Sequence, residues 1–293
     1  MKKRVAIIGF GVIAQYIYPA IQKSKDFRCV AIVDKVKTKQ EISRTVDVKG
    51  VPIYASYNEM EKHIEVDIIV LLTHHIRREK YLEELLENNL TIICEKPLCW
   101  TSKQKEMLKK YITNFPMVIY HRSYSSAINE FLNYINTRRV QQIDIYYLEE
   151  ISKHTSFKSN YIASDADGGG CVVDNLPNCI HFLLKYGKLE FISASGNKNK
   201  TFDYTTDAII VCLWNNITCK IHLDWHSLID EKSIVLTTDD GIVKLDWQNG
   251  MGKDSLYKEY ESFFCGHYTS SSKIDFTVSD MIEKTLYEIN KEK

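Results

Sequence analysis

Two hydrophobic rhythms divide the chain. From residue 4 to about 125, short continuous apolar runs alternate with segments of helical spacing. Runs at 5–8, 28–33, 51–54, 66–72, 90–94 and 117–120 predict strands, and 13–24, 38–46, 58–64, 77–88 and 101–111 predict helices. Strands apolar on both faces and alternating with helices predict a parallel, doubly wound sheet. Beyond about residue 125 the pattern changes. A helix at 127–136 leads into a long strand at 140–151, an irregular loop, and a glycine-led helix ending near Tyr186. Strands at 191–196, 207–214, 217–225, 233–237 and 241–247 follow, with tight turns at Asn215-Asn216 and Asp239-Asp240-Gly241. Helices at 256–264 and 278–290 complete the pattern. The expected fold is α/β. A Rossmann doubly wound sheet occupies 1–122, and an α+β domain with a large, mainly antiparallel open sheet occupies 123–293. The last helix can pack back on the first domain.

One strand hints at assembly. Ile217, Cys219, Ile221, Leu223 and Trp225 alternate with Thr218, Lys220, His222, Asp224 and His226. The first set should face the helices and the second should form an open face. Its partner, 208–214, is apolar on both faces, so part of that open face wants covering. A homodimer or homotetramer through the open sheet is the expectation.

The first strand ends in Gly9-Phe10-Gly11-Val12-Ile13-Ala14, a GxGxxA pattern that opens a helix. Gly9 allows the tight turn, Gly11 lets backbone approach a pyrophosphate, and Ala14 permits close helix–strand packing. Asp34 ends the second strand. A carboxylate there accepts from the ribose hydroxyls and repels a 2′-phosphate, which favours NAD over NADP. Lys35 and Lys37 stand ready to pair with such a phosphate, so NADP stays open, and a plain strand-end cap is the alternative reading of Asp34. Cys94-Glu95-Lys96-Pro97 lies at the end of the fifth strand, the edge where open α/β sheets bind ligands. Lys96 can hydrogen-bond a substrate hydroxyl and stabilise developing alkoxide; a solvated surface lysine is the alternative. Gly168-Gly169-Gly170 opens the helix that carries Asp174, Asn178 and His181 on one face. The glycines leave room for another molecule to approach the backbone. Asp174 and His181 can move a proton.

These three motifs, in this order across both domains, resemble the glucose–fructose oxidoreductase / inositol dehydrogenase family, Gfo/Idh/MocA. The resemblance implies a Rossmann domain followed by an α/β domain with a large open sheet. It places Lys96 and Asp174 beside the nicotinamide and implies a cis Lys96–Pro97 peptide. Thr73 and Glu95 are expected cofactor contacts, His74 or His75 but not both could touch the cofactor or substrate edge, and the resemblance implies a substrate-contacting pair at His121-Arg122, for which a sheet-edge surface pair is the alternative. Many members carry histidine four residues after the helix aspartate, where this chain has Asn178. Asp174-x-x-x-Asn178 is similar to the aldose 1-dehydrogenase branch. There the aspartate and lysine handle the hydroxyl while asparagine orients it. His181 competes for the histidine's part; a core or supporting histidine is the other reading. Thr73-His74-His75-Ile76-Arg77-Arg78 departs from the family's Thr-Pro, and Arg78 stands where histidine is common. His74 and His75, being adjacent, are expected to point to different sides. Tyr124 and Tyr161 are possible sugar-stacking rings.

Composition narrows the classes. The 293 residues balance 38 Lys and Arg against 38 Asp and Glu, which argues against a nucleic-acid or polybasic membrane surface. Met1-Lys2-Lys3-Arg4 leads straight into the first strand, without a signal peptide's longer apolar region. None of the eight cysteines forms a CxxC pair, so reduced structural thiols in a cytoplasmic protein are expected, and no cluster has metal-ligand spacing. The leading expectation is an NAD-dependent dehydrogenase of a small polyhydroxylated substrate: an aldose, cyclitol or sugar derivative. A keto-sugar or imine reductase uses the same residues in reverse. A non-catalytic dinucleotide- or sugar-binding regulator has no need for Lys96 or Asp174.

Overall fold

A computed structural model describes residues 1–35, 39–48, 50–153, 163–247, 253–266 and 271–291. Two compact units emerge: Met1–Leu98 with Glu106–Ile119 and Leu256–Ser272, and Cys99–Lys105 with Tyr120–Ser255 and Lys273–Lys293.

The first unit is built on six parallel strands: β1 (Lys3–Ile8), β2 (Phe27–Val33), β3 (Ile53–Tyr54), β4 (Ile68–Leu71), β5 (Thr91–Glu95) and β6 (Met117–Ile119). Their order is β3-β2-β1-β4-β5-β6. The strand order reverses at β1, which pairs Ile8 with Val33 on one side and Leu71 on the other. Val5 to Ile8, Ala31 to Val33, Ile68 to Leu71 and Ile92 to Cys94 are buried on both faces, as the continuous apolar runs require. Helices α1 (Ala14–Lys23), α2 (Lys39–Ser43), α3 (Tyr57–Met60) and α4 (His75–Glu87) alternate with the strands, and α5 (Ser102–Lys109) precedes β6. A later helix, which we number α8 (Lys253–Phe264), returns to this unit. There the Ser24 hydroxyl donates to the Phe264 carbonyl (2.9 Å), and Phe27 meets Phe264 edge to face.

The second unit holds α6 (Ser126–Thr137), β7 (Val140–Glu150), α7 (Gly170–Tyr186), β8 (Leu189–Asn199), β9 (Tyr204–Trp214), β10 (Ile217–Asp224), β11 (His226–Thr238), β12 (Gly241–Asp246) and α9 (Ser272–Lys291). Its sheet runs β12-β11-β7-β10-β9-β8. Only β7 and β10 pair in parallel; the other pairs are antiparallel. Asn215 and Asn216 both take positive φ (49° and 68°), the type I′ geometry that matches the twist of a two-residue hairpin. Inward-facing Ile143, Ile145, Cys219, Ile221, Leu223, Ile234 and Leu236 are buried. Helix α7 packs on β9 and β10, with the Trp214 indole donating to Leu183 O (2.8 Å) and Phe182 against Phe131 and Trp247. On the opposite face His222 stacks on Tyr146 and reaches Asp144 (3.3 Å), while Ile209 and Ile242 stand exposed.

All eight cysteines are free, and seven are buried. Burial pushes the Cys29, Cys99 and Cys212 thiols up to about 12, which excludes thiolate chemistry there. Among the described residues, no helix is long and apolar enough to cross a membrane, and no three His, Cys, Asp or Glu side chains gather as metal ligands.

Asp275 on α9 accepts from the Tyr120 hydroxyl (2.7 Å) in a buried position, and burial raises its pKa to about 7. Its ordinary value is 3.8, so between 3.8 and 7 the folded chain holds a proton that the unfolded chain releases. Stability from this group is therefore present at acid pH and is lost as pH rises through that window, by up to about 1.4 kcal/mol per unit. Asp275→Asn should flatten that part of the curve. Thermal midpoints of both proteins from pH 4 to 8 check this; an unchanged slope contradicts it.

Candidate active site

In the first unit the predicted cofactor residues gather at the carboxyl ends of β1, β2, β4 and β5. Gly9 has φ +89° and donates to Val33 O (2.8 Å); a Cβ there would lie 3.0 Å from the Thr73 nitrogen. Strand β1 thus turns directly beside the backbone that leaves β4. A Cβ on Gly11 would meet nothing within 4 Å, so the front of the turn is open. Phe10 buries its ring near Tyr18 and donates its N–H to Asp34 Oδ2 (2.7 Å). That bond fixes the acid beside the glycine turn. Ala14 is fully buried, Ile13 forms the N-terminal boundary of α1, and Val12 and Lys35 are exposed. Lys37 lies outside the described residues. Thr73 Oγ1 is buried without a hydrogen-bond partner among the described residues. A buried hydroxyl of this kind costs free energy unless a ligand satisfies it. The open face of Gly11, the anchored Asp34 and the unsatisfied Thr73 fit a dinucleotide.

The His74 and His75 rings lie against each other at a tilt of 32°, with centroids 4.0 Å apart. The expectation that they diverge is corrected. It borrowed the alternation of a strand, but β4 ends at Leu71 and His74 is the boundary residue of α4. Glu95 is buried and accepts from the Tyr260 hydroxyl (2.9 Å). The Lys96–Pro97 peptide is cis. Around it sits a residue not assigned to the site from sequence. Arg78 is buried on α4, and its guanidinium donates to Thr73 O (3.1 Å), Pro97 O (2.6 Å) and Glu95 O.

In the second unit, α7 carries Asp174, Asn178 and His181. Gly168 and Gly170 have φ of +92° and +82°. A Cβ on Gly169 would fall 1.8 Å from Ala163 O, and one on Gly170 would fall 2.3 Å from Asp165 Oδ1. The glycines therefore admit this chain's own loop, which corrects the expectation that they make room for another molecule. Asp165 explains the crowding. Its carboxylate accepts from the Thr205 N–H (2.7 Å) and hydroxyl (2.8 Å) and pairs with Lys198 (3.1 Å).

Asp174 is half-buried. One turn on, Asn178 is 2% exposed, and its Oδ1 has no partner among the described residues. His181 accepts from or donates to the Ser123 hydroxyl through Nδ1 (2.6 Å) and stacks on Tyr120, with centroids 3.9 Å apart. Burial, with the nearby Lys185 cation, lowers its pKa to about 3. The ring is neutral at any ordinary pH.

His121 and Arg122 are both buried in a short 3-10 turn (His121–Tyr124), so the surface-pair reading fails. The Arg122 guanidinium lies 5.9 Å from the Tyr147 ring centre. Asn175 donates to Glu149 Oε1 (2.9 Å), and Glu149 pairs with Lys232 (3.3 Å). Lys232 also lies 5.1 Å from the Tyr147 ring centre. The buried Asn175, Glu149 and Lys232 were not expected from sequence. Tyr124 has the Lys185 ammonium 6.0 Å from its ring centre, and Tyr161 lies outside the described residues.

Residues 3–116 match the family described as oxidoreductase family, NAD-binding Rossmann fold (GFO_IDH_MocA). No curated protein matches the chain significantly in sequence. In fold it is similar to myo-inositol 2-dehydrogenase from Lactobacillus plantarum, with a TM-score of 0.78 at 14% identity, covering 100% of this chain and 98% of that one. D-galactose-1-dehydrogenase from Rhizobium etli gives 0.71 at 17% identity, over 96% and 95% of the two chains. The WlbA dehydrogenase from Bordetella pertussis, solved with NADH and UDP-GlcNAcA, gives 0.79 at 12% identity, over 100% and 96%. At these identities the likeness is one of fold. Residues 3–116 thus match the NAD-binding Rossmann fold of the Gfo/Idh/MocA oxidoreductases, and the cofactor is NAD.

Proposed function

We propose that the protein oxidises a carbinol carbon of a small polyhydroxylated substrate: an aldose, a cyclitol or a sugar derivative. Bound NAD supplies the hydride acceptor. The observation that carries this reading is Asn178. A buried carboxamide oxygen with no partner among the described residues, one turn from Asp174, is an acceptor ready for a hydroxyl O–H. In this reading Asn178 orients the hydroxyl and Asp174 takes its proton. Lys96 stabilises the oxygen as negative charge develops on it. His181 supports the helix face through Ser123 and Tyr120 and does not take the proton, because its pKa of about 3 makes it a weak base. His121 and Arg122 form part of the substrate wall, and His74 and Glu95 border the cofactor. The open face of the second sheet, where Ile209 and Ile242 are exposed, is the contact of a homodimer or homotetramer.

The test is a panel of aldoses and inositols with NAD and NADP, followed by absorbance of the reduced cofactor. Turnover of none of them contradicts the substrate class. Asp34 is held at the glycine turn by the Phe10 N–H, so NAD should bind more tightly than NADP. Asp34→Ala should narrow the gap by about tenfold, the equivalent of one lost charge repulsion of roughly 1.4 kcal/mol. Tighter binding of NADP to the unmodified protein contradicts this.

Asn178→Ala should lower kcat/KM on the order of tenfold, and Lys96→Ala should lower kcat on the order of 10²-fold. His181→Asn should cost far less. The pH–rate profile should rise through a carboxylate, and His181→Asn should leave its shape near pH 6.5 unchanged, since His181 is neutral throughout that range. If His181→Asn abolishes turnover while Asn178→Ala is mild, the assignments are reversed.

A further inference from the structure

We infer that Arg78 is a positioning residue for Lys96, an inference that rests on the proposed part of Lys96 in the reaction. The β4–β5 register ends at Leu71 paired with Cys94. Beyond that pair the two strand ends leave the ladder, and the residues of interest, Thr73 and Lys96, lie just past it. Arg78 spans this gap. One end of the guanidinium donates to Thr73 O, and Nη1 donates to Glu95 O and Pro97 O, the carbonyls on either side of Lys96. The Lys96 backbone is thus bracketed by one rigid, planar group that also grips the segment after β4. Five donors in a fixed fork suit several carbonyls at set angles; an ammonium is a point charge on a flexible stem and cannot reproduce that pattern. The side chain is 4% exposed, so water does not compete for these carbonyls. Displacing a catalytic group by about 1 Å costs on the order of 10²-fold in rate, which sets the scale of what the bracket protects.

Arg78→Lys and Arg78→Ala in the full-length protein test this. In the absence of cofactor, amide hydrogen exchange over 72–75 and 95–99 should speed up in both variants while the rest of the chain keeps its protection. On the substrate that the unmodified enzyme turns over best, kcat should fall on the order of 10²-fold, with KM changed less than about threefold. Millimolar guanidinium should restore part of the activity of Arg78→Ala, and methylammonium should not. Unchanged exchange over the two segments in Arg78→Lys overturns the inference. So does faster exchange throughout the chain without rescue by guanidinium, the mark of a merely structural residue. If the unmodified protein oxidises no polyol, the proposed part of Lys96 fails by that result alone. The exchange measurement then decides whether Arg78 holds the segment.

Discussion

The first unit depends on how tightly β1 turns against the strand beside it. Strand order reverses at β1, so its end must pass between the ends of β2 and β4. Gly9 makes that passage with a positive φ and almost no clearance from Leu72 and Thr73 backbone atoms. Any side chain at Gly9 would push the β1 turn away from β4. Asp34 would then lose its bond to Phe10, and the front of Gly11 would no longer be set at a fixed place. Fixed backbone at the carboxyl ends of parallel strands is what lets this architecture hold a dinucleotide at a reversal point.

The strands of the first unit were legible because their apolar runs are continuous and buried on both faces. The glycine turn was legible because few sequences serve a left-handed turn followed by a helix. The second unit was readable as a mainly antiparallel sheet from period-two alternation and from Asn215-Asn216. What escaped reading has a common physical cause. Tyr147 and Glu149 share the inward face of β7 with Ile143 and Ile145, so the alternation marks them as buried. It says nothing of the Asn175 and Lys232 partners that make burial tolerable. Arg78 satisfies backbone carbonyls, which carry no sequence signature. His74 and His75 lie together because the chain has left β4 and is entering α4, where strand alternation does not apply. At Gly169 and Gly170 the sequence marks a place of close approach, but it does not say that the chain's own loop is what approaches.

In the second unit, one helix face combines neutral and charged groups with different freedom. His181 is clamped between Ser123 and Tyr120 and carries no charge, whereas Asn178 has an oxygen with nothing to accept among the described residues. Under the proposed function, orientation and proton transfer are divided between neighbouring turns of α7. The buried Glu149–Lys232 pair contributes little net stability of its own, since desolvation offsets attraction, but losing Lys232 takes a cation away from the buried Glu149, whereas Lys232 also bonds Asp230.

The knot at the start of α7 has a consequence for how this sequence can change. Gly169 tolerates no side chain while Ala163 O stands where it does, and Gly170 none while Asp165 does. Asp165 in turn is tied to Thr205 and Lys198. Substitutions at these positions share atoms, so their effects do not add. A lineage leaving this arrangement crosses a valley in which each single step is worse than either end. The start of the aspartate-bearing helix is therefore constrained by contacts that the chain makes with itself.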